Sequence, residues 1–155
     1  MFYEPGKSGH GLPHDPFKSL VVPRPIGWIS TYAKDGTPNL APYSFFNAVG
    51  FAPPMVIFSS GTRRPDHSDK DSALNVEETG AFVVNMVSYD LRDQMTLSAE
   101  EVDPDVDEFD LAGLEMGQAK TVNAPLVVAS PAHLECKYMQ TVKLESTKPG
   151  VFSKV

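Results

Sequence analysis

The chain has 155 residues, of which 13 are Lys or Arg and 20 are Asp or Glu, so its formal net charge is −7. A hydrophobic fraction of 41% is typical of one folded domain and excludes wholesale disorder. The acidic balance argues against nucleic acid as a partner, because phosphate backbones require a basic face. The single cysteine, Cys136, excludes an internal disulfide.

The N-terminal residues, the length of the apolar runs and the distribution of glycine and proline indicate the class of protein. Met1–Gly6 has no basic stretch followed by an apolar one, so no secretory signal is expected. Apolar runs are too short to span a bilayer, and we expect a single cytoplasmic domain over residues 1–155 without membrane contact. The 11 glycines and 14 prolines are spread along the chain, which favours many short strands over a helix bundle.

The first predicted elements after a non-periodic arm, Met1–Pro16, form a hairpin. Gly27–Ala33 is rich in aromatic and β-branched residues and predicts a strand. The Asp-Gly pair at 35–36 predicts a tight turn with positive φ at both central residues. Two prolines in the return arm, Thr37–Tyr43, restrict it to a sheet edge or an irregular strand.

Alternating or apolar runs predict the remaining strands. Met55–Gly61 is nearly all apolar and is expected to be buried on both faces. With about six or seven strands and one or two short helices, the expected fold is a β-barrel with helical additions. The runs from which these further strands are expected are Ser44–Val49, Met55–Gly61, Ala81–Val87, Leu126–Ala129, Leu134–Met139 and Thr141–Leu144.

Two segments predict helices. Ser72–Thr79 suits a short helix, with Asp71 or Ser72 as N-cap and Gly80 just after its end. Tyr89–Glu101 suits a second one.

The acidic residues are concentrated in one stretch. Tyr89–Ala119 contains one arginine and ten Asp or Glu residues, a net charge of −9. Its middle, Val102–Asp110, is interpreted as an acidic loop. Acidic runs are usually solvated surface, so we assign this one no chemistry.

The polar segment Ser59–Ser72 follows a strand and opens the predicted helix. It contributes hydroxyl groups, two arginines, one lysine and a helix N-terminus, which together suit a phosphate group. The alternative is a solvated turn whose Asp and Arg side chains pair with each other. The residues alone leave both interpretations open.

No pattern predicts a protein-borne nucleophile or a metal centre. The sequence has no Gly-x-Ser-x-Gly motif, and Cys136 lies in a predicted strand, where a thiol is more often a core residue than a nucleophile. The four histidines fall in different loops without the spacing of metal ligands.

Several motifs in a fixed order carry a resemblance to a known family. Over Leu20 to about Glu145, the chain resembles the flavin reductase-like family with the FMN-binding split barrel, and most closely its flavoredoxin-type branch. The motifs are Arg-Pro-Ile-Gly-Trp-Ile-Ser-Thr at 24–31, Asp-Gly-Thr-x-Asn-Leu-Ala-Pro-Tyr-Ser-Phe-Phe-Asn at 35–47, Lys-Asp-Ser at 70–72, Glu-Thr-Gly-x-Phe-Val-Val-Asn at 78–85 and Ser-Pro-Ala-His-Leu-Glu-Cys at 130–136.

The resemblance implies a mainly β fold, a split β-barrel with short peripheral helices, that holds FMN non-covalently near the interface of a homodimer. It places the isoalloxazine beside the strand at 44–47 and the ribityl chain and phosphate toward 59–61 and 70–72. The strand at 28–31 is implied to line the other side of the flavin, or to be barrel core. The implied cofactor-binding residues are Trp28, Ser30, Thr31, Ser44, Phe45, Phe46, Asn47, Ser59, Ser60, Gly61, Arg63, Lys70, Asp71 and Ser72.

The implied activity is an FMN-dependent oxidoreductase that takes electrons from NAD(P)H or from a redox protein partner. The chemistry belongs to the flavin, so no catalytic side chain is required. Two alternatives are a flavin-binding or flavin-storing module without turnover, and a flavoprotein similar to pyridoxamine-phosphate oxidase.

Two further expectations concern assembly and the end of the chain. Aromatic residues near the open edge of the barrel are expected to leave apolar surface that a second copy covers in a homodimer: Trp28, Phe45, Phe46, Phe51 and Phe58.

Val151–Val155 resembles the beginning of a strand, and family members continue beyond this point. Either the family's C-terminal segment is missing or a neighbouring chain supplies its part of the barrel.

Overall fold

The computed structural model describes residues 3–4, 11–14, 16–61, 68–103, 106–146 and 151–155. Within these ranges the chain is mainly β and folds as a split barrel with short peripheral helices, as the sequence predicts. The helices are α1 Pro16–Leu20, α2 Asp71–Thr79, α3 Arg92–Leu97 and α4 Glu108–Leu111. The strands are β1 Gly27–Tyr32, β2 Pro38–Tyr43, β3 Phe46–Phe51, β4 Pro54–Phe58, β5 Ser60–Gly61, β6 Ala81–Asn85, β7 Met116–Gln118, β8 Pro125–Val127, β9 His133–Lys137, β10 Lys143–Glu145 and β11 Phe152–Lys154.

The described strands outnumber the predicted six or seven because several are very short. β5 has two residues, and β7, β8, β10 and β11 have three each. Segments of this length carry too little alternation for a sequence pattern to detect.

β1 and β2 form the predicted antiparallel hairpin, and β2 lies at the edge of its sheet as its prolines require. The predicted turn is wrong in detail. The Gly36 N–H donates to the Ala33 carbonyl at 2.9 Å, so Lys34 and Asp35 are the central residues. Gly36 follows them with φ of +94°, a conformation that glycine adopts without a steric penalty.

The central sheet has the order β2-β1-β6-β9, and residues 27–31 of β1 are buried on both faces. Since side chains alternate along a strand, Trp28 and Ile29 enter two different core clusters. The first cluster contains Trp28, Leu40, Leu91, Phe109 and Val127. The second contains Ile29, Tyr43, Val76, Phe82 and Val84.

β3 and β4 form a separate two-stranded hairpin beside the central sheet. The prediction that Met55–Gly61 is buried on both faces is wrong, because Ile57 is 39% exposed and Gly61 is also exposed. An antiparallel pair that packs on one side only leaves its other face to solvent. On β3 the same effect leaves Phe51 92% exposed.

α2 begins one residue earlier than predicted. Lys70 is its N-cap and makes no side-chain capping bond, so the prediction of Asp71 or Ser72 as N-cap is wrong. Ser72 is buried, and its hydroxyl donates to Asn39 Oδ1 instead of a backbone N–H. The predicted C-terminal glycine is confirmed, since Gly80 has φ of +76° and its N–H donates to the Val76 carbonyl.

The acidic stretch is more structured than the sequence suggests. A short 3-10 turn, Tyr89–Leu91, and α3 replace the single predicted helix over Tyr89–Glu101. The predicted solvated loop includes the start of α4, where Glu108 is only 6% exposed. This carboxylate is buried because it accepts hydrogen bonds from β2, an interaction that no local pattern reveals.

The last described strands join the segment that precedes α2. β11 pairs with both β10 and β5 in a three-stranded sheet. Lys154 Nζ lies 2.8 Å from an Asp69 carboxylate oxygen and 2.6 Å from Glu77 Oε2. These ion pairs connect β11 to the Ser68–Lys70 segment and to the last turn of α2.

Candidate functional site

The start of α2 borders a small cavity against the edge strand β2. Lys70, Asp71 and Ser72 line this cavity together with Asn39 and Tyr43, and its volume is about 70 Å³. Three further carboxylates also line it, those of Glu100, Glu101 and Glu108. The structure therefore brings three of the predicted site residues together at a helix N-terminus, where the helix dipole favours an anion. We call this place the α2 cavity.

A hydrogen-bonded chain forms one wall of the α2 cavity. Ser72 Oγ donates to Asn39 Oδ1 at 2.7 Å, and Asn39 Nδ2 donates to Glu108 Oε1 at 2.8 Å. Glu108 Oε2 accepts from the Leu40 N–H at 3.0 Å. Burial raises the pKa of Glu108, and the hydrogen bonds from Leu40 and Asn39 act against that rise.

Tyr43 contributes a buried hydroxyl at the same place. The residue is 7% exposed, and its Oη has no hydrogen-bond partner among the residues that the structure describes. Burial raises the pKa of Tyr43 to about 12, although the Ser72 and Ser60 hydroxyls beside the phenol act in the opposite direction. Lys70 Nζ lies 5.9 Å from the centroid of the Tyr43 ring. A buried hydroxyl without a partner is costly, so this one suits a site that acquires an acceptor.

The residues at 44–47 lead from β2 into β3. The predicted strand begins at Phe46 instead of Ser44. Arg24 fixes the preceding residues: its Nε donates to Ser44 Oγ at 3.3 Å, and its guanidinium lies 5.7 Å from the centroid of the Phe45 ring. Phe45 is 43% exposed and Asn47 is also exposed, so a flat ligand can reach both.

Phe46 has a different environment from its neighbours. Its ring packs on the second core cluster and covers Gly27, where a Cβ atom would lie 2.6 Å from Phe46 Cδ2. Only glycine at position 27 leaves room for this ring. Phe46 therefore packs into the core at the start of β3 and does not face solvent as Phe45 does.

The residues at 59–61 lie next to the residues at 44–47 and to Tyr43 at the α2 cavity. The Ser59 N–H donates to the Phe45 carbonyl at 2.8 Å, which holds the end of β4 against the strand at 44–47. Ser60 is buried, and its hydroxyl donates to the Gly61 carbonyl at 3.2 Å. The hydroxyl proton of Ser60 is therefore used within its own strand.

Three predicted site residues lie in the core instead. Trp28, Ser30 and Thr31 are each 0% exposed. Trp28 Nε1 donates to Ser98 Oγ at 2.8 Å, and Ser30 Oγ donates to the Pro125 carbonyl at 2.6 Å. The hydroxyl of Thr31 accepts from Asn75 Nδ2 at 3.0 Å. Their polar atoms are used inside the protein, which favours the barrel-core interpretation of this strand over the flavin-lining one.

Arg63 lies outside the described residues, so its predicted contact with a phosphate remains a prediction.

Burial raises the pKa of the Cys136 thiol to about 11, which keeps it protonated near neutral pH. Across the described ranges, no group of three or more His, Cys, Asp or Glu residues could hold a metal ion. The helices in those ranges are all too short or too polar to cross a membrane.

The charges around the α2 cavity are mixed. Lys70 and the N-terminus of α2 favour an anion, whereas four carboxylates of the same lining oppose one: Asp71, Glu100, Glu101 and Glu108. Outside the cavity, exposed Phe45 and Asn47 offer surface for a flat ring. Sequence reasoning missed four contributors: Arg24, Asn39, Tyr43 and Glu108. The first three lie within the quoted motifs, but their roles depend on contacts between distant segments. Nothing in the sequence separates Glu108 from the other acidic residues of its stretch.

The mainly β fold with short peripheral helices is that of a split-barrel protein. The sequence model of the Flavin reductase like domain matches residues 19–149, and the chain belongs to that family. An uncharacterized protein of Aquifex aeolicus is 46% identical over 123 residues, which are 79% of this chain and 62% of that protein. This chain spans about three fifths of the length of the curated relatives that it matches.

Two solved structures support the assignment of the fold. The nitrilotriacetate monooxygenase component B of Bacillus cereus matches 99% of this chain and 77% of its own, with a TM-score of 0.84 and 25% identity. The 2-nitrobenzoate 2-nitroreductase of Pseudomonas fluorescens matches 90% of this chain and 64% of its own, with a TM-score of 0.75 and 27% identity.

Proposed function

We propose that this protein binds FMN non-covalently and passes electrons from NAD(P)H, or from an electron-transfer protein, through that flavin. Membership in the flavin reductase-like family supports the class of cofactor. The observation that carries the proposal is the α2 cavity, where the buried Tyr43 Oη lacks a partner beside Ser60, Ser72 and the Lys70 cation.

The N-terminus of α2, on the side of Lys70, would hold the phosphate end of the flavin. Lys70 supplies a positive charge, and α2 supplies the positive end of its dipole. Tyr43 has a hydroxyl proton to donate, while Ser60 and Ser72 already donate to other groups. A phosphate offers the acceptors that this set requires. The predicted phosphate contacts of Ser59, Gly61, Asp71 and Arg63 belong to the same proposal.

The residues at 44–47 would hold the ring end. Phe45 presents an exposed face that suits stacking, and Asn47 presents an exposed amide. Arg24 holds this segment in place by its contacts with Ser44 and Phe45. The bound flavin supplies the redox chemistry, and the protein supplies its orientation and its surroundings.

A flavin titration followed by anaerobic reduction tests the proposal. We expect FMN to bind more tightly than riboflavin or FAD, because Lys70 and the N-terminus of α2 can contact one phosphate and no second anion site is evident among the described residues. Rapid mixing of the FMN-loaded protein with NADH and with NADPH should then bleach the flavin absorbance. Absence of FMN binding by folded protein contradicts the proposal. Binding without reduction by nicotinamides, or by a redox protein, supports the storage alternative instead.

Electron transfer should not involve Cys136. Its protonated thiol and the lack of a second cysteine in the sequence leave no disulfide relay. A Cys136→Ser variant is expected to reduce flavin as fast as the wild type in the same rapid-mixing assay. A folded variant that binds FMN but is reduced tenfold more slowly would contradict this expectation.

We also propose a homodimer. Of the aromatic residues predicted to form its interface, Trp28 is buried, and Phe46 and Phe58 pack on the second core cluster. Phe45 and Phe51 remain, joined by Val49 and Ile57 on the same hairpin, all at least 39% exposed. Light scattering at micromolar concentration with FMN should give twice the chain mass, and Phe51→Ser should shift the mass toward the monomer. A wild-type monomer under these conditions would overturn the dimer.

A further inference from the structure

A second cavity, with a volume of about 290 Å³, lies between the β1–β2 turn and α2. We call it the turn cavity. It shares Asn39 and Asp71 with the α2 cavity, and the rest of its lining comes from the turn, the start of β2 and α2. Its volume is at the small end of the range for ligand pockets, and the proposed flavin contacts do not explain it.

The turn cavity has a negatively charged lining. Three carboxylates line it, those of Asp35, Asp71 and Glu78, against one cation, Lys34. The Thr37 N–H donates to Asp35 Oδ1 at 3.0 Å, and this bond lowers the pKa of Asp35. Among the described residues, no lysine or arginine forms an ion pair with Asp35 or Glu78. The excess of carboxylates therefore favours a cation.

A buried amide in the same lining independently indicates a hydrogen-bond donor. Asn75 is only 4% exposed, and its Nδ2 donates to Thr31 Oγ1 at 3.0 Å. Its Oδ1 accepts no hydrogen bond from the described residues. An amide oxygen left without a donor in a buried side chain is costly. Since Asn75 lines the turn cavity, a ligand there can supply that donor.

The spacing of these groups suits an organic cation and not a bare metal ion. Within the described ranges, no three His, Cys, Asp or Glu side chains converge closely enough to hold a metal. An alkylammonium group is protonated at neutral pH and carries three N–H donors, so it can bond Asn75 Oδ1 and also face carboxylates. Leu74 is 41% exposed in the same lining and offers surface for an alkyl chain.

We propose that the turn cavity binds a small aliphatic amine in its ammonium form. The ammonium group donates to Asn75 Oδ1, the carboxylates of Asp35, Asp71 and Glu78 balance its charge, and its alkyl chain packs on Leu74. The inference goes beyond the proposed function and does not depend on flavin binding.

The test is an NMR titration of the full chain, labelled with nitrogen-15, with n-butylammonium chloride at neutral pH and constant ionic strength. We expect saturable shifts of the Asn75 side-chain NH₂ signals and of the Leu74 amide, with a dissociation constant of about 1–10 mM. Two further titrations use 1-butanol, a neutral molecule of the same length, and magnesium chloride, a bare cation. Neither should give saturable shifts at these positions.

Two substitutions of exposed lining residues should act in opposite directions. Glu78→Gln removes a carboxylate and should weaken n-butylammonium by about two- to fivefold. Lys34→Gln removes the cation of the lining and should strengthen binding by a similar factor. The matched control is Glu115→Gln, which removes the same charge from an exposed position outside the cavity and should leave the affinity unchanged.

Each other outcome overturns the amine site. Equal saturable shifts with 1-butanol would show a merely apolar contact, and equal shifts with magnesium would show attraction of any cation. A loss in Glu115→Gln as large as that in Glu78→Gln would show an effect of net charge alone. Absence of saturable shifts at Asn75 and Leu74 would show that no ammonium binds there. Each of these results leaves the flavin titration of the proposed function unaffected.

Discussion

β1 and the α2 cavity lie close together, and the motifs of the family resemblance include residues of both. They differ in whether their buried polar groups have hydrogen-bond partners. In β1 the side chains of Trp28, Ser30 and Thr31 are fully buried, and each has a hydrogen-bond partner inside the protein. At the α2 cavity the buried Tyr43 Oη lacks one among the described residues. Burial with complete hydrogen bonding indicates a structural role, whereas an unsatisfied group beside a cation indicates a place for a ligand.

The largest expected effect tests the structural side of this comparison. Trp28→Ala should lower the free energy of unfolding by about 3–5 kcal/mol, because it leaves a cavity in the first core cluster and removes the bond to Ser98. Urea denaturation followed by circular dichroism measures the loss. The matched change at the exposed ring, Phe45→Ala, should cost less than about 1 kcal/mol. Similar losses for the two variants would remove the distinction between the regions.

The next effect tests the ligand side. Lys70→Ala should weaken FMN by about 1.5–3 kcal/mol, or roughly ten- to a hundredfold, since it removes a charged hydrogen bond to the phosphate. Riboflavin should hardly respond, and FMN affinity should fall as salt rises. The same titrations on Lys34→Ala, an exposed lysine on the β1–β2 turn, serve as a control. Equal losses for FMN and riboflavin would show that Lys70 is structural.

A smaller effect with two opposite signs concerns Tyr43. Tyr43→Phe removes a buried hydroxyl without a partner, so the flavin-free protein should be unchanged or more stable by up to about 1 kcal/mol. The same variant should bind FMN about three- to tenfold more weakly. Thermal unfolding without flavin measures the change in stability, and an FMN titration measures the change in affinity. A clear loss of stability without flavin would mean that the hydroxyl is satisfied within the protein.

The smallest effect lies at the outer edge of the core sheet. Glu135 on β9 accepts from the backbone N–H groups of Lys120 and Thr121, and these bonds lower its pKa to about 2. Its stabilising contribution is complete above its ordinary pKa of 4.5 and is lost as pH falls from there toward 2. Glu135→Gln should flatten the loss of stability in this interval. An unchanged slope in acid denaturation would show that these bonds contribute nothing.

Local patterns predicted those parts of the fold that depend on neighbouring residues. The β1–β2 hairpin, the edge position of β2 and the end of α2 at Gly80 are confirmed. Each follows from backbone preferences of proline and glycine together with alternation along a strand. The wrong details, such as the N-cap of α2 and the burial of Met55–Gly61, depend on which segment covers each residue.

The candidate site was predicted in part for the same reason. Lys70, Asp71 and Ser72 are consecutive at a helix start, so their proximity follows from the sequence. The partners of these residues do not follow from the sequence. Ser72 is hydrogen-bonded to Asn39, and Asn39 is hydrogen-bonded to Glu108, which lies 36 positions after Ser72 in the chain. Tyr43 has no feature in the sequence that distinguishes it from a core aromatic.

The sequence by itself determined the family, the mainly β class and the clustering of phosphate-binding residue types before α2, because these depend on composition, spacing and ordered motifs. Only the tertiary structure decided which motif residues are core and which border a cavity. It also decided that one carboxylate of an acidic stretch is buried against β2. Burial and hydrogen-bond satisfaction are properties of contacts between distant segments, and residue order alone does not specify those contacts.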